Sequence, residues 1–225
     1  MSAESVTAAL AGWENRLRSL GAAAVDCLRP GLTREEVDGL SAEFEGGLPE
    51  EAAAIWMWHD GSDHGDAPMP GMRGLVPYRF FLPLREAFAS ARTLYEGTSA
   101  PIGRLEKLSD GLDNGAVTWI YPQDSPEPPG QASWYRPWWL VILTGGSTTF
   151  VDCADPSKPE TFVGVWDPHD DLYVGQLTVG ERVWWWHWAL DTGYWWIDDN
   201  GLWATDNDKR PEAVFGDIAY RHVLP

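Results

Sequence analysis

Basic residues are scarce in this chain of 225 residues. Lysine and arginine together number 16 against 34 aspartates and glutamates, which gives a formal net charge of −18 with histidine taken as neutral. Such a surface repels phosphate backbones and anionic lipid headgroups, so we expect neither nucleic acid nor a membrane surface as a partner. A basic protein would instead be attracted and steered towards the chain. Solubility alone is the alternative explanation of the charge.

Cysteines are also scarce, and long apolar runs and a basic N-terminal segment are missing. Only Cys27 and Cys153 occur, and they form neither a disulfide framework nor a zinc-binding spacing. No uninterrupted apolar run reaches the roughly 18–20 residues that cross a bilayer, and the first residues lack the basic start of a secretory signal. We therefore expect a cytoplasmic protein with reduced thiols.

Tryptophan is abundant instead, with 15 residues in a chain that is 44% hydrophobic and 22% charged. That composition is too apolar for a disordered chain, and 225 residues make one large domain or two small ones. We see neither internal repeats nor a linker. A single domain over residues 1–225 is therefore the simplest interpretation.

Helical patterns fill the N-terminal third. Apolar residues recur at alternating steps of four and three from Val6 to Leu20, which places them on one face of a helix. Thr33 and Glu36 form a capping box that opens a second helix, because each side chain accepts a hydrogen bond from the backbone N–H of the other residue. A short third helix is predicted over residues 49–58, with Pro49 in its first turn.

Strands dominate the second half of the chain. Two apolar runs, 138–143 and 148–152, flank a Gly-Gly turn and indicate a β-hairpin. Two more strands are predicted over 161–166 and 172–177. Consecutive strands without helices between them favour an antiparallel sheet.

Shorter elements complete the pattern. Thr178 and Glu181 repeat the capping box and open a helix that runs to about Leu190. The remaining predictions are a strand over 80–82, a helix over 84–95 and a strand over 117–121. Together these elements predict an α+β fold with a central antiparallel sheet of about five or six strands, N-terminal helices and a closing C-terminal helix.

Two segments carry a resemblance to a known superfamily. In the first, PGLTREEVDGLSAEFEGGLPEEAAAIWMWHDG (residues 30–61), a helix leads to a Leu-Pro pair, a short helix and an aromatic stretch closed by an Asp-Gly turn. In the second, WWLVILTGGSTTFVDCADPSKPETFVGVWDP (residues 138–168), the return strand of a hairpin carries Asp152 and the next strand carries Gly164-Val165. With Phe81-Leu82-Pro83-Leu84 between them, the chain resembles the SUKH superfamily, which groups the Smi/Knr cell-wall regulators of yeast with bacterial immunity proteins.

The resemblance covers about residues 31–190 of a single SUKH-like domain and leaves 191–225 as a C-terminal extension. It implies protein binding without catalysis or cofactors: a bacterial, cytoplasmic immunity protein of a polymorphic toxin system that neutralises its cognate toxin by direct binding. Many such toxins are nucleases, whose basic active sites complement an acidic inhibitor. A regulatory or scaffolding module of the cell-wall regulator type is the alternative, and a glycan-binding or glycan-active protein is the second alternative.

Acidic and aromatic side chains are the candidate contacts with a toxin. Six acidic residues and one lysine lie between Asp152 and Asp171, and three aspartates follow Trp58 within eight residues. Aspartates in turns also cap their own backbone, so turn capping is the alternative role for about half of the former group. The candidates for partner binding are Trp58, Asp60, Asp63, Asp66, Trp139, Asp152, Asp155, Trp166, Asp167, Asp170 and Asp171.

Histidines and aspartates between His59 and Asp66 resemble a set of metal ligands. Imidazole and carboxylate together suit several divalent metals. However, the separation of five positions between His59 and His64 suits neither one helix face nor a known zinc pattern. We therefore expect a solvated loop and no metal.

An aromatic run, Trp-Trp-Trp-His-Trp at residues 184–188, lies in the closing helix. Five consecutive positions at about 100° each sweep the whole circumference of a helix, so we expect part of this aromatic surface to be exposed. Three alternatives could cover this aromatic surface: a second copy of the chain in a homodimer, another partner, or the C-terminal tail with Trp195, Trp196 and Trp203.

Overall fold

The computed structural model describes residues 2–42, 44, 47–63, 70–101, 131–133, 138–145, 148–157, 161–166 and 172–209, and its architecture is α+β, as predicted. The helices in this part of the chain are α1 (Ala3–Ser19), α2 (Arg34–Ser41), α3 (Glu50–Trp58), α4 (Leu84–Thr98) and α5 (Val179–Asp191). The strands are β1 (Arg79–Phe81), β2 (Ser99–Pro101), β3 (Gln131–Ser133), β4 (Trp139–Gly145), β5 (Thr148–Asp152), β6 (Phe162–Trp166), β7 (Leu172–Thr178), β8 (Trp195–Ile197) and β9 (Trp203–Thr205).

The starts of α2 and α5 follow the predicted capping boxes. The Thr33 hydroxyl accepts from the Glu36 N–H at 3.2 Å, and Glu36 Oε2 accepts from the Thr33 N–H at 2.7 Å. The same reciprocal pair joins Thr178 and Glu181 at the start of α5. Pro49 is the N-cap of α3 and not a residue of its first turn, because its ψ of 148° is still extended. None of the described helices is both long and apolar enough to cross a bilayer.

The central sheet has five antiparallel strands in the order β1-β4-β5-β6-β7. The predicted hairpin forms its centre, where Leu140 pairs with Val151 on the neighbouring strand. Residues 139–143 of β4 are all buried, so both faces of this strand are covered. β6 and β7 continue the meander on one side, and β1 returns from earlier in the chain to pair with β4 on the other.

Some predictions need correction or lie outside the described residues. Leu20 is 43% exposed, because it is the C-cap of α1 and no longer lies on its apolar face. The helix predicted over 84–95 is confirmed and extends to Thr98. The strand predicted over 117–121 falls outside the described residues. Two further short sheets, β2 with β3 and β8 with β9, were not predicted.

The aromatic run 184–188 lies on α5, which packs against α1 and the β8–β9 hairpin. The Trp186 ring lies 5.6 Å from that of Trp13, and the Trp185 ring lies 4.9 Å from that of Trp195. Trp185 and Trp186 are buried, and the other three residues of the run are half-buried. Part of this aromatic surface is therefore exposed, at Trp184, His187 and Trp188, whereas Trp185 and Trp186 are covered within the chain. A homodimer through the run stays a prediction.

The β8–β9 hairpin joins the C-terminal extension to the core. Trp203 is 1% exposed, its ring stacks on that of Trp13 at 6.1 Å, and its indole N–H donates to the carbonyl of Gly74 at 2.8 Å. The Asp198 carboxylate shapes the turn, and hydrogen bonds from the backbone, above all from Leu202, lower its pKa. Packing against the C-terminal segment, one of the three competing covers, is confirmed for this part of the extension.

Candidate binding surface

The predicted aromatic anchors Trp58 and Trp139 are packed into the fold. Trp139 is 5% exposed, and its ring stacks on Phe150 with the centroids 4.1 Å apart. Trp58 is half-buried, with its ring stacked on Phe81 and its indole N–H donated to Glu14 Oε2 at 3.3 Å. The anchoring role is wrong for Trp139, whose ring is enclosed and offers no platform to a protein or a sugar. The contacts of Trp58 hold α3 to α1 and β1.

Asp60 connects the loop after α3 to the start of α4. It is 9% exposed, and its Oδ1 accepts from the N–H of Leu84, the first residue of α4, at 2.8 Å. Its Oδ2 lies 3.4 Å from Arg29 Nη2. The carboxylate therefore lies at the positive end of the α4 dipole and satisfies one of its orphan N–H groups. Asp60 has a structural role that the sequence did not predict.

Asp152 and Asp155 shape the turn after β5. Asp152 Oδ1 accepts from the N–H of Ala154 at 2.9 Å. Asp155 Oδ1 accepts from the N–H of Ser157 at 3.1 Å and from its hydroxyl at 2.5 Å. Both are Asx turns, in which an aspartate bonds to the backbone two residues further on. The alternative of turn capping is therefore confirmed for these two aspartates.

Several other candidates cannot be placed on this surface. Asp66, Asp167, Asp170 and Asp171 lie outside the described residues, as does His64. Trp166 ends β6, but its side chain is outside the described part of the structure. Their roles in partner binding stay predictions.

A groove of about 500 Å³ opens between α2 and the start of α4. Its apolar part comes from Leu32, Leu40 and Pro83. Three carboxylates and two guanidinium groups also line it. We call this site the α2–α4 groove, and its lining residues are Arg29, Leu32, Glu36, Gly39, Leu40, Asp60, Pro83, Arg85 and Glu86. Glu36 and Glu86 are exposed, so their charges face solvent at the groove.

The loop 60–63 runs beside β1 and next to this groove. Ser62 donates to the Phe81 carbonyl through its N–H at 2.9 Å and through its hydroxyl at 3.1 Å. Gly61 has a φ of 75°, and a Cβ there would lie 2.3 Å from the backbone nitrogen of Pro83, so this approach needs glycine. Asp63 follows as an exposed residue. We call the α2–α4 groove together with Asp63 the acidic surface.

A hydrogen-bond network on α1 fixes the start of this loop. Glu14 accepts from Arg18 at 2.7 Å through Oε1, and from Trp58 and His59 at 3.3 Å each through Oε2. Burial by itself raises the pKa of Glu14, but the hydrogen bonds from Arg18 and His59 outweigh it and lower the pKa. The other ring nitrogen of His59, Nδ1, lies 2.5 Å from the carbonyl of Arg29. Loop 60–63 is therefore tied to both α1 and the segment before α2.

The thiols contribute little chemistry to this surface. Cys153 is buried, and burial raises the pKa of its thiol well above the ordinary value. Burial also raises the pKa of the half-buried Cys27. Both thiols are therefore protonated and weakly nucleophilic at neutral pH. Within the described ranges, no group of three or more histidines, cysteines or carboxylates is arranged to hold a metal ion.

Sequence reasoning missed the groove and two of its carboxylates. Glu36 was identified only as a capping residue, and Glu86 was one charged position in a predicted helix. Nothing local indicates that α2 and α4 face each other, because the start of α4 lies 50 residues after the start of α2. The Asp-Gly pair at 60–61 was a usable signal, since Asp60 bonds to the first residue of α4 and Gly61 accepts from the N–H of Arg29, before α2.

The described surface is thus acidic, partly apolar and placed beside an edge strand. Comparison with known proteins adds no assignment: no protein-family description matches this chain, and no curated protein matches it.

Proposed function

We propose that this chain is an immunity protein of the SUKH type, which neutralises a cognate toxin by binding to it directly. The observation that carries the proposal is the order of the elements: the capped helix α2, Leu48-Pro49, α3 with its aromatic end, the step from β1 into α4, the β4–β5 hairpin, β6, and the closing helix α5. The resemblance to the SUKH superfamily rests on elements in this order, which supports the proposal.

The charge supports a basic partner. The chain carries −18 overall, and the acidic surface contains four carboxylates, Glu36, Asp60, Asp63 and Glu86, against the guanidinium groups of Arg29 and Arg85. Arg29 is already paired with Asp60. Opposite charges across an interface raise the association rate and disfavour wrong partners. A toxin with a basic nucleic-acid site is the partner class that fits this distribution.

The proposed mechanism is occlusion of the toxin. The acidic surface steers the basic face of the toxin into contact, and the apolar side chains of Leu32, Leu40 and Pro83 supply short-range affinity in the groove. For a nuclease, this contact covers the groups that bind phosphate. The nucleic-acid substrate is then excluded by volume and by charge.

The proposal predicts that a toxin module is encoded beside this chain, and co-expression of the two proteins tests it. Cells that produce the toxin are expected to survive only when this chain is also produced, and the two proteins are expected to co-purify. An inactive toxin variant serves for the purification, so that expression of the partner does not depend on protection. Death of the co-expressing cells together with the absence of a complex would overturn the proposal.

A charge reversal tests the role of the acidic surface. Glu86→Lys is expected to weaken binding of the inactive toxin about tenfold, mainly through slower association, and the effect is expected to shrink as salt rises. Glu96→Lys is the matched control, because it makes the same charge change on α4 about 15 Å further along the helix axis. Equal losses of affinity in the two variants would show that overall charge, and not this surface, directs binding.

A further inference from the structure

Tyr78 is held in a strained turn immediately before β1. Its φ is 61°, and among the residues that the structure describes it is the one non-glycine residue with a positive φ. The N–H of Arg79 donates to the carbonyl of Val76 at 3.1 Å, so Pro77 and Tyr78 are the central residues of a β-turn. Proline followed by a residue of positive φ is the arrangement of a type II turn, which favours glycine or asparagine at the second position.

Neighbouring backbone enforces this conformation. The N–H of Tyr78 donates to the carbonyl of Gly71 at 2.9 Å. Its carbonyl lies so close to Gly145, the last residue of β4, that a Cβ there would be 2.0 Å from the oxygen. A strained residue persists where its surroundings determine its backbone in this way. Both contacts use only backbone atoms of Tyr78, so any residue other than proline could make them.

The side chain of Tyr78 is only about half covered by the fold, with an edge of its ring near Gly71. It is 49% exposed, the largest exposed fraction among the large hydrophobic side chains of the described residues. Packing therefore does not explain why tyrosine occupies a position that suits glycine. Strained residues cluster at binding sites, and tyrosine is one of the residues that dominate the energetics of protein interfaces.

Tyr78 lies a short distance along the chain from the acidic surface. Tyr78 precedes β1, and Pro83 of the α2–α4 groove follows it five residues later, so the two are separated by about 17 Å at most. A standard interface covers about 800 Å² on each partner, a patch about 30 Å across. A partner that spans β1 is therefore wide enough to reach both the groove and Tyr78.

We propose that Tyr78 is an anchor residue for the toxin, held out from the surface by its strained turn; this inference rests on the proposed function. The ring enters a pocket of the toxin, while the acidic surface lies against its basic groups. The strained backbone of Tyr78 lowers the stability of the free protein, whereas the side chain contributes to affinity in the complex. Stability and affinity therefore respond in opposite directions when the side chain is removed.

Tyr78→Gly and Tyr78→Asn test the inference, because both residues tolerate a positive φ. Thermal denaturation of the free variants is expected to give a Tm about 2–4 °C above that of the unsubstituted chain. Calorimetric titration with the inactive toxin module is expected to show an affinity loss of at least about tenfold. Trp196→Ala removes a similarly exposed aromatic side chain, 42% exposed, and is expected to leave the affinity unchanged.

Each contrary outcome has a definite meaning. A lower Tm in both variants would make Tyr78 a structural residue, and unchanged affinity would remove it from the interface; either result overturns this inference alone. Failure of the unsubstituted chain to bind the toxin overturns the proposed function and this inference with it. A dimer that Tyr78→Gly converts to a monomer, without a change in toxin affinity, would assign Tyr78 to a contact between copies and overturn the inference.

Discussion

The ring of Phe150 on β5 lies directly against Gly164, its register partner on β6. A Cβ at position 164 would be 2.3 Å from Phe150 Cζ, which is far inside van der Waals contact. Phe150 is fully buried, and the stacked ring of Trp139 packs against it. The absence of a side chain at Gly164 therefore makes room for an aromatic ring in the centre of the sheet.

We expect Gly164→Ala to destabilise the protein by about 1–3 kcal/mol, because Phe150 must leave its rotamer or the strands must separate. Urea denaturation followed by tryptophan fluorescence measures the change. Gly12→Ala is the control, since Gly12 lies on the exposed face of α1 with no atom within 4 Å of an added Cβ. That variant is expected to gain about 0.5–1 kcal/mol. Equal effects in the two variants would contradict the proposed packing.

Trp203→Ala is expected to cost about 3–5 kcal/mol, because it removes a fully buried ring that contacts Trp13 and Trp195 and bonds to Gly74. Trp196→Ala, on the partner strand of the same hairpin, is expected to change stability by less than about 0.5 kcal/mol. Thermal denaturation of the two variants measures how much the packing of the β8–β9 hairpin contributes to the stability of the core. A small effect of Trp203→Ala would mean that the C-terminal extension folds separately.

Asp60→Ala is expected to destabilise the chain by about 1–2 kcal/mol, since α4 loses its acidic cap and Arg29 loses its ion-pair partner. Asp60→Asn retains an oxygen that accepts from Leu84 and is expected to cost less. Denaturant titration compares the two variants. If the asparagine variant were as unstable as the alanine variant, the charge, and not the hydrogen bond, would be the stabilising feature.

Glu14→Gln is expected to destabilise the protein by about 1–3 kcal/mol at pH 7, because a carboxylate with three donors is replaced by an amide. The pKa of Glu14 is lowered from its ordinary value of 4.5, so its contribution is complete above about pH 4.5 and is lost as the pH falls through the folded-state pKa. Stability measured against pH for both proteins should therefore converge in acid. A difference that stayed constant down to pH 3 would contradict the role of the charge.

The helix starts and the central hairpin could be predicted from the sequence because their causes are local. A capping box joins residues three positions apart, as in Thr33–Glu36 and Thr178–Glu181. The hairpin needs two apolar runs and a Gly-Gly turn within fifteen residues. Such patterns act through neighbours in the chain, so they predict the same structure whatever packs against them.

The candidate site could be predicted only in part. Asp60 and Asp63 were identified from the cluster of aspartates after Trp58, and their role in partner binding stays a prediction: Asp60 is buried beside the start of α4, and Asp63 is exposed. Trp139 was assigned to the surface and is buried. Tryptophan is favourable both in a core and at an interface, because burial of its large apolar ring is stabilising in either place. Its environment is decided by what lies opposite, which for Trp139 is Phe150.

By itself the sequence determined the fold class, the helix caps, the hairpin and the acidic charge, because periodicity, capping and composition are properties of neighbouring residues or of their sum. Only the tertiary structure decided that β1 pairs with β4, that α2 and α4 enclose a groove, and that α1 and the C-terminal hairpin cover the tryptophans of α5. These contacts join residues that are from ten to more than a hundred positions apart. They depend on how the whole chain buries its apolar surface, which no local pattern specifies.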